Sequence, residues 1–321
     1  MRTLNVMLAV AGLALSVVAG AQSYPSRLVK IIVPTPPAGN PDIVARILAQ
    51  KLSESWGQPV TVENRPGGDN VIGADMVAKS PGDGYTWLMA PNNVLIINPH
   101  LGKLPFDALK DFTPVSMIAR VSFVLVAHPS LPVKNVAGLV EYTRSNAGKV
   151  NYGSAGNGSP QHLIMELFKR SSGADLLHIP YKGASLAITD LLADRVHVFV
   201  GATGTLLPHI RDGRLRLIAT AGDKRLETFP DVPTIAETLP RFGKLGEPWF
   251  AIFMPANVPR DIVSKVSAEI GRVLNAPEIR ANLAARNVEV ATGSPEALAT
   301  TLKEDYAIWG QVIREAGIKS D

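Results

Sequence analysis

The sequence has 321 residues, of which 46% are hydrophobic, 19% are charged and none is cysteine. A chain of this length usually forms two domains of about 100–200 residues, and its apolar fraction excludes a disordered protein. The net charge of +4 is not concentrated in any block of lysine and arginine, which argues against a nucleic-acid partner. The lack of cysteine excludes disulfides, thiolate catalysis, Cys-ligated zinc and iron–sulfur clusters.

Residues 1–21 have the pattern of a secretory signal peptide. Arg2 provides a basic start, Leu4–Val18 is an almost uncharged apolar run, and Ala19-Gly20-Ala21 is a small-residue cleavage site. The alternative is a membrane anchor, but the run is shorter than the roughly 18–20 residues that a spanning helix needs. A lipoprotein anchor would require a cysteine after the cleavage site. We therefore expect an exported mature chain that begins at Gln22.

A short β-branched strand, a glycine- or proline-rich turn and an amphipathic helix recur along the mature chain. The first unit is the strand Val29–Val33, the loop Pro34–Asn40 and the helix Pro41–Trp56, with Asn40 as the expected N-cap. Further strands are predicted at Val60–Glu63, Tyr85–Met89, Lys149–Tyr152, Leu176–Tyr181, Val196–Val200 and Leu215–Thr220. This alternation predicts an α/β fold with parallel sheets that are covered by helices on both faces.

Two extended runs divide the chain into lobes. Val115–Ala127 is longer than one sheet strand needs, so we predict that it crosses between domains. Trp249–Met254 is predicted to be the return crossing, after which only helices are expected. The first lobe then comprises residues 22–121 plus 252–321 and the second comprises residues 122–251. Two α/β lobes joined by two extended crossings predict a clamp with a ligand cleft between them.

The loop from Tyr152 to Pro160 has the features of an anion site. It connects a strand to a helix, with Ser159 placed to cap the helix and Pro160 at its first position. Its glycines allow backbone N–H groups to approach a ligand, and the helix dipole favours an anion. The residues predicted to contact a ligand are Ser154, Ala155, Gly156, Asn157 and Ser159. Such a turn is usually structural when it occurs alone, and its spacing fits neither a P-loop nor a dinucleotide site.

A second strand-to-helix loop, Thr35–Asn40, lies in the other predicted lobe. Its candidate contacts are Thr35, Pro37, Ala38, Gly39 and Asn40. Ligands of open α/β sheets bind beyond the carboxyl ends of the strands, so the two loops could hold the two ends of a small dianion. The alternative is that both are ordinary connections. A third loop offers Tyr181 and Lys182 to the same cleft, although Lys182 could equally be a solvated surface residue.

The sequence lacks the patterns of common enzymes. G-x-S-x-G and HExxH are absent, and the six histidines show no pair with metal-ligand spacing. His162, just behind the glycine loop, is either a capping or packing residue or a ligand contact. Asp42 falls in a first helical turn, where a carboxylate meets the helix dipole favourably. We therefore predict neither catalysis, nor a metal, nor a cofactor.

These residues resemble the periplasmic substrate-binding proteins of tripartite tricarboxylate transporters, the Bug family. The resemblance runs from Tyr24 to about Lys319. It is carried by the stretches YPSRLVKIIVPTPPAGNPDIVARILAQKL, GQPVTVENRPGG, PGDGYTWLMA, DFTPVSMIA, VNYGSAGNGSPQHL, HIPYKGA, ITDLLADRV, LPHIRDGRL, DVPTIAE and IVSKVSAEI. It implies a monomeric two-lobe type II periplasmic binding protein that delivers a small organic acid to membrane permease subunits. In the family, the loops matching Thr35–Asn40 and Ser154–Ser159 typically hold the carboxylates.

Two departures from the family pattern bear on the ligand. The common PFPPGGGTD is replaced by residues 34–42, PTPPAGNPD, so that an aromatic residue and two glycines are lost. Where the family usually carries an aspartate, this chain has Gly201, Ala202 and Thr203 after a strand. Without that acid a ligand ammonium group lacks a partner, and Gly201 and Ala202 are expected to free room for a ring. We therefore expect a non-amino acid, either dicarboxylic or aromatic. Two alternatives stay open: a carboxylate receptor for a signalling partner, and an exported enzyme on the same scaffold.

Overall fold

The computed structural model describes residues 24–243, 247–286 and 288–318. The predicted signal peptide, residues 1–21, lies outside this range. Within the described range, no helix combines the length and the apolar character needed to cross a bilayer.

Two β-sheets form the framework of the protein. The six-stranded sheet contains β1 (Val29–Val33), β2 (Val60–Asn64), β3 (Thr86–Pro91), β4 (Phe112–Arg120), β10 (Trp249–Pro255) and β11 (Glu289–Val290), in the order β11-β4-β10-β3-β1-β2. The five-stranded sheet contains β5 (Phe123–Ala127), β6 (Asn151–Ser154), β7 (Leu177–Pro180), β8 (Val198–Ala202) and β9 (Arg216–Thr220), in the order β7-β6-β8-β5-β9. The α/β class and the two-lobe arrangement are therefore confirmed.

Both sheets are mixed, so the prediction of parallel sheets was wrong for part of each. β1 runs parallel to β2 and β3, and β6 runs parallel to β7 and β8. In contrast, β10 is antiparallel to β3 and β4, and β5 is antiparallel to β8 and β9. The reason is topological: β5 and β10 are the first strands after the chain changes sheets. Each enters its new sheet at the edge where the parallel strands end and therefore runs in the opposite direction.

Helices cover both sheets. They are α1 (Asn40–Trp56), α2 (Val71–Ala78), α3 (Asn93–Ile96), α4 (Asn98–Leu101), α5 (Val136–Ser145), α6 (Pro160–Ser172), α7 (Ala184–Leu192), α8 (Thr203–Arg211), α9 (Ile235–Thr238), α10 (Arg260–Leu274), α11 (Pro277–Ala284) and α12 (Pro295–Ala316), with a 3-10 turn at Pro240–Phe242. Two expectations need correction. Gly39 occupies the N-cap of α1 and Asn40 is already helical, without a side-chain cap. The short β11 also interrupts the predicted all-helical end of the chain.

The two crossings lie side by side. β4 ends at Arg120 and β5 begins at Phe123, so Val121 and Ser122 connect the sheets. The backbone N–H of Val121 donates to the carbonyl of Pro248 in the other crossing, at 2.7 Å. β10 pairs along its whole length with β4, which places the return crossing before Trp249 rather than within the strand. The lobe limits of the sequence analysis stay a prediction, and this pairing supports moving the second limit to the start of β10.

The C-terminal helix joins the two halves. α12 packs on β4 of the six-stranded sheet and also contacts α6, which follows β6 of the other sheet. At the ends of these helices, Arg170 forms an ion pair with Glu315 at 3.0 Å. One cluster of buried apolar side chains, including Leu88, Leu125 and Trp309, runs through this junction. The packing brings the carboxyl end of β3 close to the beginning of α6.

Candidate ligand-binding site

A cavity of about 300 Å³ lies beside the crossings, at the junction of the two sheets. It is lined by residues that begin α1, α3 and α6, together with residues of both crossings. These are Asn40, Pro41, Pro91, Asn92, Asn93, Val121, Phe123, Pro160, Pro248, Trp249 and Phe250. The volume corresponds to about ten water molecules. The cavity therefore has the size of a small metabolite.

Neutral amides supply the polar part of this lining. Asn92 is only 6% exposed, and its side chain has no hydrogen-bond partner among the described residues, nor do those of Asn40 and Asn93. The backbone N–H of Asn92 donates to the carbonyl of Trp249 at 2.8 Å and fixes the residue in place. The amide atoms of Asn92 are not fully enclosed, so they open onto the cavity, where water or a bound ligand can supply a partner.

The loop between β1 and α1 is held by Asp42. Its carboxylate accepts from the N–H of Ala38 at 2.9 Å and from the side chain of Asn64 at 2.9 Å, and it pairs with Arg46 at 3.0 Å. Burial by itself would raise the pKa of Asp42, but the bonds from Arg46, Ala38 and Asn64 lower the pKa below its usual value. In the same loop, the hydroxyl of Thr35 is buried without a partner in the described structure. The predicted dipole role of Asp42 is thus combined with bracing the loop.

Hydrogen bonds within the glycine loop use its own hydroxyls. Ser154 is fully buried, and its Oγ lies 2.7 Å from Nε2 of His178 and accepts from the N–H of Gly156 at 3.1 Å. Ser159 caps α6 as predicted, because its Oγ accepts from the N–H of His162 at 3.3 Å. The same hydroxyl donates to the carbonyl of Gly156 at 2.7 Å. Ser154 and Ser159 therefore shape the loop, and their role as direct ligand donors stays a prediction.

Two stacked imidazole rings support this loop from behind. The rings of His162 and His178 are 4.0 Å apart and nearly parallel, and the ring of Tyr152 stacks on His178 at 4.8 Å. The N–H of Gly158 donates to Nδ1 of His162 at 3.0 Å. Burial and the neighbouring His162 lower the pKa of His178 to about 4. Of the two roles considered for His162, the structure favours packing and bracing.

The third loop is attached to the glycine loop. The N–H of Tyr181 donates to the carbonyl of Ser154, and the N–H of Gly183 donates to the carbonyl of Ala155, both at 3.2 Å. The hydroxyl of Tyr181 donates to Asp190 at 2.7 Å, and burial together with this bond raises the pKa of Tyr181 to about 12. Lys182 is exposed. Neither side chain lines the cavity described above.

The segment Gly201–Thr203 ends β8 beside the first crossing. The N–H and hydroxyl of Thr203 both donate to the carbonyl of Ser122, each at 2.8 Å. A Cβ placed on Gly201 would collide with the ring of Phe199, which is fully buried. The expectation that Gly201 frees room for a ligand ring was wrong, because Phe199, two residues earlier on the same side of the strand, already fills that space.

The structure brings only part of the predicted site to the cavity. Asn40 lines it directly, and Ser159 is next to the lining residue Pro160. The lining positions missed by the sequence analysis are Pro41, Pro91, Asn92, Asn93, Val121, Phe123, Pro160, Pro248, Trp249 and Phe250. Asn92 and Asn93 had a recognisable signal, because they follow a strand at the sheet edge where ligands bind. Ligand contacts at Pro37, Ala38, Gly39, Gly156, Asn157 and Ala202 also stay predictions.

Two α/β lobes, two adjacent crossings and a cavity at their junction define a two-lobe solute-binding protein. Comparison with known proteins agrees: the model of the tripartite tricarboxylate transporter family receptor matches residues 44–318. The chain belongs to this family, and the Bug-family resemblance is confirmed.

Three relatives illustrate the similarity. Protein BugT of Bordetella pertussis is 36% identical over 319 residues, which cover 98% of this chain and 97% of BugT. The structure of R. palustris Rpa4515 with adipate is 34% identical, with a TM-score of 0.78, and covers 92% of this chain and 99% of that one. MatC from Rhodopseudomonas palustris with bound malate is 28% identical, with a TM-score of 0.74, and covers 90% of this chain and 100% of MatC.

Proposed function

We propose that this chain is a periplasmic receptor that binds a small non-amino organic carboxylate in the cavity between its lobes and delivers it to a tripartite tricarboxylate-type permease. The observation that carries this proposal is the cavity itself. Two long helices begin at it, and three asparagine side chains without described protein partners face one ligand-sized space.

Helix N-termini provide the positive potential for an anion. α1 has 17 residues and α6 has 13, and the positive end of a helix dipole is equivalent to about half a unit charge. Free backbone N–H groups at such an end donate to carboxylate oxygens. A carboxylate can therefore be held without an arginine or lysine, and no charged side chain occurs among the residues that line the cavity.

The same lining argues against an amino acid as the ligand. A buried ammonium group needs an anionic partner, and the lining residues offer none. The relatives with bound adipate and malate support the carboxylate class. Adipate and malate are both dicarboxylates without an ammonium group, whereas Phe123, Trp249 and Phe250 would suit an apolar or aromatic body.

The proposal includes export of the mature chain to the periplasm. Residues 1–21 would be removed after Ala21, and the mature monomer would act in the periplasm, as the family relationship suggests. The loops Thr35–Asn40 and Ser154–Ser159 would shape the two ends of the cleft, with Tyr181 and Lys182 at its rim.

Calorimetric titration of purified residues 22–321 tests the binding function. The panel contains mono- and dicarboxylates of three to eight carbons, benzoate, aspartate and glutamate. We expect dissociation constants in the micromolar range or below for at least one non-amino carboxylate, without chemical conversion of the ligand. Tight binding of aspartate or glutamate alone would contradict the proposed ligand class. Transport of the bound acid by vesicles that contain the permease, dependent on added receptor, tests delivery.

A further inference from the structure

We infer that the cavity binds its ligand in one orientation, with a single carboxylate toward α6 and an uncharged end toward α1, and that Asn92 selects this uncharged end. The inference rests on the proposed function. The proposed function leaves open both a dicarboxylate and an acid with an apolar or aromatic body. The inference favours a monocarboxylate with an apolar or neutral polar body over a dicarboxylate.

The α1 side of the cavity is poorly suited to a second carboxylate. Asp42 lies in the first turn of α1, is 3% exposed, and has a lowered pKa despite its burial because Arg46, Ala38 and Asn64 bind its carboxylate. Its negative charge thus already occupies the positive end of this helix. Both helices begin with a proline that lacks an N–H, Pro41 in α1 and Pro160 in α6. N–H groups of both preceding loops are also committed within the protein, that of Ala38 to Asp42 and those of Gly156 and Gly158 to Ser154 and His162. The difference between the two ends therefore lies in charge.

The α6 side differs in its local charge. No acidic residue lies in the first turn of α6, so the positive end of this helix is not neutralised locally. The preceding loop is braced by its own serines and by the stacked histidines, which hold its backbone in place before a ligand arrives. Pro160, at the first turn, lines the cavity. A carboxylate is therefore stabilised better at this end.

Asn92 is the buried group that an uncharged ligand end would meet. It is more than nine-tenths buried, lines the cavity, and has no described partner for its amide. A neutral amide can donate to or accept from a hydroxyl, carbonyl or amide of the ligand. The surrounding wall is apolar, with Phe123, Trp249 and Phe250. Burying a second carboxylate here, without a cation, costs more than burying a methyl, hydroxyl or amide group.

The test uses six-carbon acids that differ only at the far end: adipate, hexanoate, 6-hydroxyhexanoate and adipamate. Mono- and dicarboxylates of three, four, five, seven and eight carbons extend the same comparison. We expect the best monocarboxylate to bind about tenfold tighter, or more, than the dicarboxylate of equal length. Equal or tighter binding of the dicarboxylates would overturn the orientation while leaving the receptor function intact. Binding of none of these acids, nor of benzoate, would overturn both.

Asn92→Leu tests the selecting residue, since leucine has nearly the same shape but no hydrogen-bonding group. We expect this variant to lose about tenfold or more in affinity for 6-hydroxyhexanoate and adipamate, and to bind hexanoate within about threefold of the unaltered protein. The matched control is Asn282→Leu, on the exposed face of α11. An equal loss for hexanoate and its polar-ended analogues would overturn the role of Asn92. If Asn92→Leu does not fold, as judged by thermal unfolding, Asn92→Ala is titrated with the same acids.

Discussion

The hydroxyl of Ser122 in one crossing donates a hydrogen bond of 2.7 Å to the carboxylate of Glu247 in the other. The two crossings are thus joined by a side-chain bond in addition to the backbone bond from Val121 to Pro248. Burial raises the pKa of Glu247, and the bond from Ser122 partly offsets this effect. Because both strands pass beside the cavity, this pair links the connection between the lobes to the ligand site.

Removing this bond should destabilise the protein. We expect Ser122→Ala to lower the free energy of unfolding by about 1–2 kcal/mol, because the half-buried Glu247 loses a hydrogen-bond donor. Urea denaturation at pH 7 measures the change, with Ser185→Ala, at an exposed position of α7, as the control. A change no larger than that of the control would show that solvent replaces the bond at no cost.

His178 should make stability fall in acid. The native pKa of His178 is lowered to about 4 by burial and by His162, whereas an unfolded histidine titrates near 6.5. Between these values the unfolded state binds more protons, so unfolding becomes more favourable as the pH falls from about 6.5 to 4. Denaturation curves across this range should show a shallower acid loss for His178→Gln. An unchanged slope would mean that His178 titrates normally in the folded protein.

Asp305 should have the opposite pH dependence. Burial raises its pKa to about 6, although the indole N–H of Trp249 donates to the carboxylate at 2.7 Å. Between about pH 3.8 and 6 the folded state binds more protons, so stability decreases as the pH rises through this range. Asp305→Asn keeps an acceptor for Trp249 and removes the charge.

We expect the Asp305→Asn variant to be about 1–3 kcal/mol more stable at pH 7 and to show no gain below about pH 4. Chemical denaturation at these two pH values measures the difference. Asp212→Asn, at an exposed position, is the control for removal of an acid. A loss of stability at pH 7 would indicate that the carboxylate is stabilised more by its partners than it is penalised by burial.

Ala38 provides a test of the β1–α1 loop. It has φ of +67°, a conformation that costs alanine about 1 kcal/mol relative to glycine. Ala38→Gly should therefore change the free energy of unfolding by less than about 1 kcal/mol and leave ligand affinity unchanged. Ala38→Asp, by contrast, adds an anion at the α1 end of the site and should weaken the binding of dicarboxylates more than that of monocarboxylates, whose carboxylate lies toward α6. Aspartate tolerates this conformation, so the melting temperature of the empty protein should stay within a few degrees. An equal or greater loss for monocarboxylates would place their carboxylate at this loop instead.

The sequence by itself determined the local elements of this protein. The β-branched run Val29–Val33, the helix after Pro41 and the cap at Ser159 follow from side-chain periodicity and from hydrogen bonding to neighbouring backbone groups. These effects act over a few residues and need no knowledge of the fold. The extended run Val115–Ala127 also identified the first crossing, because it is too long for one strand, and the matched stretches identified the family.

Tertiary structure decided which of these loops share one cavity. The reversal of β5 and β10 depends on the edge at which the chain enters each sheet, and strand periodicity is the same in both directions. Asn92 lines the site because β3 ends beside the crossing that leads into Trp249. Trp249 is about 157 residues further along the chain than Asn92. The ring of Phe199 occupies the space beside Gly201, and composition does not reveal this packing. Contacts between distant segments set these features, and they arise only when the two sheets pack together.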